Sequence, residues 1–150
     1  MAYTLEMTAA PDETAFNAIL DAVVDYNTRM AGPSGHRPLA ILIKNGSGAV
    51  TGGLWGGSGY GWLFIKLLFV PEALRAGGLG ARLMAMAEQE AVQRGCRGIW
   101  LDTYAFQARG FYEKLGFRCF GELADYPVGF SRYFMCKTLE APRADGADQS

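Results

Sequence analysis

The feature that most constrains this chain is the segment from Trp62 to Arg94. Trp62 to Val70 is its most apolar run, broken only by Lys66, and Pro71 ends it. Proline has no N–H to give to a sheet ladder, so the run reads as a central strand that stops at residue 70. Over Gly78 to Arg94 the period changes. Leu79, Leu83, Met86 and Ala87 share one helical face, and Arg82, Gln89 and Gln93 share another. Gly95 closes that helix as a C-terminal cap. Strand and helix are joined by Pro71-Glu72-Ala73-Leu74 and then Arg75-Ala76-Gly77-Gly78-Leu79-Gly80. A strand that passes to a helix through glycines belongs to a layered α/β domain.

The rest of the chain fits around that unit. Tyr3 to Met7 alternates weakly and reads as a short strand. Pro11, Asp12 and Glu13 open a helix over 12–30, whose apolar face is Phe16, Ile19, Leu20, Val23 and Val24. A loop follows from Ala31 to Pro38. Leu39 to Ile43 reads as a strand, Asn45-Gly46-Ser47-Gly48 as a hairpin turn, and Ala49 to Trp55 as the returning strand. Gly56 to Gly61 is expected to be a second turn. Ile99 to Tyr104 is the next strand, Ala108 to Leu115 a short helix ended by Gly116, and Phe117 to Leu123 and Ser131 to Leu139 two last strands. The order predicts a mixed, mostly antiparallel central sheet with helices on both faces, an α/β (α+β layered) fold. No repeat or linker divides it, so residues 1–140 are expected to form one domain. The polar stretch from Ala141 to Ser150 is expected to be a disordered tail.

Composition narrows the function. Fourteen basic against 15 acidic residues leave a formal charge of −1, which argues against a nucleic-acid binder working through a general positive field. His36 is the single histidine, and Cys96, Cys119 and Cys136 are irregularly spaced, so neither a histidine-rich nor a cysteine-based metal site is expected. The cysteines read as small core residues in a reducing, cytoplasmic setting. No apolar run approaches the ~18 residues of a membrane span, so no membrane partner is expected.

The 20 glycines are in excess and cluster at Gly46–Gly61 and at Gly77, Gly78 and Gly80. The second cluster, with Arg75, fits Arg-x-x-Gly-x-Gly. The first turn of a helix presents unpaired N–H groups and the positive end of its dipole, and glycines let a phosphate come close. Arg75 can add a charge-assisted contact. The predicted ligand is a pyrophosphate. No Gly-Lys-Ser/Thr is present, and Gly78-Leu79-Gly80 runs into Ala81, Arg82 and Leu83, so neither a mononucleotide loop nor a dinucleotide fingerprint fits. The plain alternative is a loop that only turns a tight corner.

A second segment, Phe106-Gln107-Ala108-Arg109-Gly110-Phe111-Tyr112-Glu113-Lys114-Leu115-Gly116-Phe117, follows a strand about thirty residues later. Arg75-x-x-Gly78-x-Gly80 together with Phe111 to Phe117 resembles the GNAT superfamily of acetyl-CoA-dependent N-acetyltransferases, and the likeness runs from about Leu39 to Leu139. The resemblance implies acetyl-CoA as co-substrate, bound between two splayed parallel strands, 62–70 and 99–105. It implies pantetheine pairing by Leu68, Phe69 and Val70, with an N–H near Leu68 polarising the thioester carbonyl. It implies a pyrophosphate held by Arg75, Ala76, Gly77, Gly78, Leu79, Gly80 and Ala81. Phe106, Arg109 and Phe111 would line the carrier. Tyr112 would be the general acid: an amine attacks directly, a tetrahedral intermediate collapses, and the departing thiolate takes the phenol's proton.

The base is left open. Family members often carry a carboxylate where this chain has Lys66; Glu72, Asp102 or a water chain are the alternatives. The resemblance frames the acceptor with residues 26–38 and 125–132, giving Tyr26, Arg29, Asp125 and Tyr126 as candidate contacts. The expected reaction is acetyl transfer to a primary amine of a small molecule. Protein or peptide acetylation, or a non-catalytic acyl-CoA-binding module, are the alternatives. The late strands leave an edge that a second copy could cover, making a homodimer.

Overall fold

The computed structural model describes residues 1–140, and the expected tail from Ala141 lies outside the described residues. Two compact units are distinguished, Met1–Ser34 and a larger one from Gly35. The first holds one helix, α1 (Glu13–Ala31). Asp12 caps it, its carboxylate accepting from the Ala15 N–H at 2.8 Å. At the other end Gly32, at φ 83°, donates its N–H to the Thr28 carbonyl at 2.9 Å. The strand expected at Tyr3–Met7 does not form: residues 1–8 have no regular structure. A weakly alternating stretch of five residues has no stability as a strand without a ladder partner, and none pairs with it.

The larger unit runs β1 (Arg37–Lys44), β2 (Val50–Gly59), β3 (Trp62–Phe69), a 3₁₀ turn (Glu72–Gly77), α2 (Leu79–Gln93), β4 (Gly98–Tyr104), α3 (Arg109–Lys114), β5 (Arg118–Leu123) and β6 (Arg132–Thr138). The sheet order is β1-β2-β3-β4-β6-β5. Every neighbouring pair is antiparallel except β3 with β4, which are parallel. The mixed, mostly antiparallel sheet with flanking helices is the one the sequence predicts, and the parallel pair is the one the resemblance implies.

The first hairpin is held by Asn45, whose side-chain oxygen accepts from the N–H groups of Ser47 and Ala49 at 2.9 and 3.0 Å. The turn expected at Gly56–Gly61 shrinks to Tyr60-Gly61, at φ 49° and 77°. The glycines before it stay in β2 because the backbones are crowded: a Cβ on Gly53 would strike the Ile41 carbonyl, and one on Gly56 the Phe64 carbonyl.

The period of two divides the residues of each strand between two faces. One face carries Leu54, Leu63, Ile65, Ile99, Leu101 and Met135, all buried. Met84, Ala87 and Ala91 of α2, Tyr112 of α3 and Phe117 join them in one cluster. Cys96 and Cys136 are buried and Cys119 half-buried, as small interior residues should be. Arg94, at the end of α2, ties the edge of the sheet to the helix. It donates to the carbonyls of Arg37 and Pro38 at 3.0 and 3.1 Å and to the Ser58 hydroxyl at 3.1 Å, and pairs with Glu90 at 3.3 Å.

Candidate active site

β3 and β4 are paired for only four registers, from Trp62–Gly98 to Ile65–Leu101. Both strands continue beyond that point, but away from each other. β3 stays paired with β2 as far as Phe69–Gly53, and β4 stays paired with β6 as far as Tyr104–Arg132. The parting coincides with a bulge: Trp55 faces Leu67 and the next residue, Gly56, faces Ile65, so Lys66 is the extra residue. Past Ile65 and Leu101 the facing edges of the two strands lack ladder partners among the described residues. A backbone edge of this kind calls for an amide-bearing partner. Leu68, Phe69 and Val70 lie on it from one side, and Asp102 opens the other.

The chain leaves β3 through Val70 and Pro71, makes the 3₁₀ turn and enters α2 at Gly78. Gly78 sits in the left-handed region at φ 73°, ψ 15°, which glycine adopts without strain. It supplies no side-chain cap, so α2 begins with first-turn N–H groups that no side chain of Gly78 engages. A Cβ at Gly77 or Gly78 would meet nothing within 4 Å, so this mouth is open. An uncapped positive helix end beside an unpaired strand edge fits a pyrophosphate joined to an amide-bearing arm. Gly80 does a different job: its Cα side lies in ordinary contact with the Phe111 ring, 3.4 Å from where a Cβ would stand. Arg75 is turned back, its Nε donating to the Val70 carbonyl at 2.8 Å and its guanidinium lying over the Phe69 ring at 5.4 Å. It braces the loop that presents Ala76, Gly77, Leu79 and Ala81.

Tyr112 is 8% exposed, edge-on to Phe111 at 5.1 Å and to Phe117 at 5.9 Å. Burial, and secondarily the charge of Asp102, push its phenol up to about 12. It is therefore a neutral hydrogen-bond donor across the physiological range. Arg109, also on α3, lies 4.4 Å above the Tyr133 ring and pairs with Glu113 at 3.4 Å.

Asp102 is the first β4 residue beyond the parting, and its Oδ1 takes both Arg132 contacts, at 2.8 and 3.0 Å. Arg132 lies among the rings of Tyr104, Tyr126 and Phe134, at 5.1 to 5.5 Å. Tyr126 stacks on Tyr104 and Phe106 does so from elsewhere, so the β5–β6 loop is drawn to the end of β4. Asp125 shapes that loop at φ 57°, its carboxylate accepting from the Gly129 N–H at 3.3 Å. Tyr26 and Arg29 belong to α1, where Arg29 lies over the Tyr26 ring and pairs with Asp25 at 3.7 Å.

One group of residues is brought together only in part by the sequence, where Trp55, Trp62 and the glycines around them read as a flat wall or a close backbone approach. His36, Trp55, Trp62, Phe64, Lys66 and Trp100 line a cavity of about 370 Å³ on the sheet face opposite the buried cluster. The available signal is the alternation Trp62, Phe64, Lys66 beside Trp100, Asp102, Tyr104, two rows on one face of adjacent parallel strands.

The sequence pattern of the acetyltransferase (GNAT) family matches residues 6–117. The chain is 46% identical over 120 residues to acetyltransferase Atu2258 of Agrobacterium fabrum, covering 80% of this chain and 88% of that one. It is 41% identical over 107 residues to blasticidin-S acetyltransferase of Streptomyces morookaense, covering 69% and 79%. Its structure is similar to that of an acetyltransferase from Bacillus cereus, with a TM-score of 0.79 and 31% identity, over 89% of this chain and 98% of that one.

Proposed function

The chain belongs to the GNAT acetyltransferase family, and from that premise we propose that it moves an acetyl group from acetyl-CoA to a primary amine of a small molecule. The observation that carries the reading is the parting of β3 and β4 beside the uncapped start of α2. A relative named for acetylating blasticidin-S favours a small-molecule acceptor over a protein.

Acetyl-CoA supplies an acyl group already activated as a thioester. The chain's own residues orient it and manage protons. The loop amides from Arg75 to Ala81 hold the pyrophosphate, and Leu68 to Val70 offer backbone partners to the arm. An N–H near Leu68 faces the acyl oxygen and stabilises negative charge there. Phe111, packed at Gly80, and Arg109 and Phe106 line the carrier.

Tyr112 donates a hydrogen bond to the departing sulfur. Its phenol, pushed up to about 12, makes complete transfer to a free thiolate uphill. The donation therefore steadies the charge as it builds on sulfur and does not run ahead of bond breaking. Asp102, with Oδ1 occupied by Arg132, has Oδ2 left to accept the amine's proton. Asp125 and Tyr126 border the acceptor from the β5–β6 loop.

The test is calorimetric titration with acetyl-CoA followed by an amine screen read by thiol release. Saturable binding and release of thiol with at least one primary amine are expected. Absence of acetyl-CoA binding overturns the reading, and so does binding without release across amino acids, polyamines, aromatic amines and nucleoside antibiotics.

A further inference from the structure

All three tryptophans of the chain, Trp55, Trp62 and Trp100, converge on one cavity, joined by Phe64. They come from three adjacent strands. Phe64 and Trp100 are register partners across the parallel pair, their rings stacked at 4.2 Å. The floor is cleared by glycines: the Trp62 ring lies over Gly98, and the His36 imidazole lies 2.9 Å from where a Cβ of Gly57 would stand. These absent side chains leave a flat aromatic wall, and Trp55 is 52% exposed on it. Aromatic surface left accessible in a concave site is suited to a planar ring.

The cavity's charge is one-sided. Its lining holds two basic side chains, Lys66 and His36, and no carboxylate. Lys66 forms no ion pair among the described residues. The nearest acid on this face of β4, Asp102, is already engaged by Arg132.

The position ties the cavity to the reaction. Phe64–Trp100 is the register just before the last paired one, and Lys66 is the first residue past it. The wall therefore runs up to the fork where β3 and β4 separate, and Lys66 stands at its upper end.

Resting on the acetyl-transfer reading of this site, we propose that the acceptor is a planar aromatic amine that also carries a carboxylate. Its ring lies on the tryptophan wall, its carboxylate pairs with Lys66, and its amine reaches the fork. A positively charged lining with no acid disfavours acceptors whose only other group is a second cation.

Four amines separate the two features. 4-(Aminomethyl)benzoate has ring and carboxylate, benzylamine the ring alone, trans-4-(aminomethyl)cyclohexanecarboxylate the carboxylate alone, and cyclohexylmethylamine neither. Each is measured for kcat/KM by thiol release and for binding to the cofactor-free enzyme by saturation-transfer NMR. 4-(Aminomethyl)benzoate should exceed each single-feature amine by about tenfold, the scale of one well-made contact. In Lys66→Met the ratio of 4-(aminomethyl)benzoate to benzylamine should fall to about one. In Trp55→Leu, a substitution at a half-exposed position, the ratio to the cyclohexane carboxylate should fall to about one. If all four are acetylated and bound alike, or if Lys66→Met keeps the carboxylate preference, the proposal is overturned while acetyl transfer stands. If none is acetylated but binding follows the expected order, the occupant of the pocket is not the acceptor and the proposal is overturned, while acetyl transfer is judged by the broader amine screen. Absence of both binding and turnover for all four overturns the proposal.

Discussion

The two faces of the sheet are built to opposite rules. On one, Leu63, Ile65, Ile99, Leu101 and Met135 are sealed by α2 and α3, few polar groups are buried beside them, and the phenol of one, Tyr112, is desolvated enough to be pushed up to about 12. On the other, Trp55, Phe64, Lys66, Trp100 and Asp102 keep accessible surface, and their charges are paired or open to solvent. Both faces meet at the fork past Ile65 and Leu101. The closed face can hold the invariant partner and tune a proton, because its geometry is fixed by packing. The open face can choose the acceptor, because changing it costs the core little. Under the proposed function, the division means that activation and selection reach one thioester from two sides of one sheet.

The sharpest way to break this comparison is Tyr112→Phe. It removes the proposed donor while keeping the ring against Phe111 and Phe117. Turnover should fall by about 10²–10⁴-fold, with acetyl-CoA affinity changed by less than about threefold. A comparable loss in affinity would make Tyr112 a packing residue. The next largest contrast is in stability. Leu101→Ala leaves a cavity in the closed face and should cost about 2–5 kcal/mol in urea unfolding. Trp55→Leu, two strands away on the open face, should cost less than about 1 kcal/mol. Equal costs would show that the open face is core as well.

How far sequence alone reaches differs between the faces in the same way. The closed face is legible because local rules write it: α2 is expected over 78–94 and found at Leu79–Gln93, and β4 over 99–104 and found at Gly98–Tyr104. Apolar periodicity, Pro71 and Gly95 are enough for that. The glycine-loop position is legible too, although Gly80 serves Phe111 and Arg75 turns to Val70, contacts that exist only in the folded chain. The open face depends on contacts distant in sequence. Trp55, Trp62 and Trp100 share a wall only once three strands are in register. Arg94 reads as the last residue of a helix, yet its guanidinium holds a carbonyl 57 residues earlier. The expected turn at Gly56–Gly61 fails for a related reason: those glycines answer to the backbone across the strand and not to a bend.

Alkaline unfolding sharpens the comparison by isolating the buried phenol. Its folded value lies above the ~10 of an exposed tyrosine, so the unfolded chain loses that proton first. The stability it contributes is complete below about pH 10 and is lost as the pH rises toward about 12. The loss should be about 2–3 kcal/mol across that window. Urea melts between pH 9 and pH 12 should show it in the wild type and not in Tyr112→Phe, with the other titrating groups cancelling in the difference. Identical slopes would place the phenol in solvent and dissolve the distinction between the faces at the residue where it matters most.

The smallest effect falls at the seam, in Gly78→Ala. The left-handed conformation at φ 73° should cost alanine about 1 kcal/mol, which is about 2–4 °C in Tm for a chain of this size. Nothing within 4 Å obstructs the new methyl group, so that strain is its whole structural penalty. If the mouth of α2 receives a pyrophosphate, the same methyl group stands where the phosphate must approach. Acetyl-CoA affinity should then fall by about tenfold or more, which exceeds what the strain alone accounts for. A loss of Tm with unchanged affinity would make the glycines a corner and nothing else, and would leave the parted strands to hold the carrier alone.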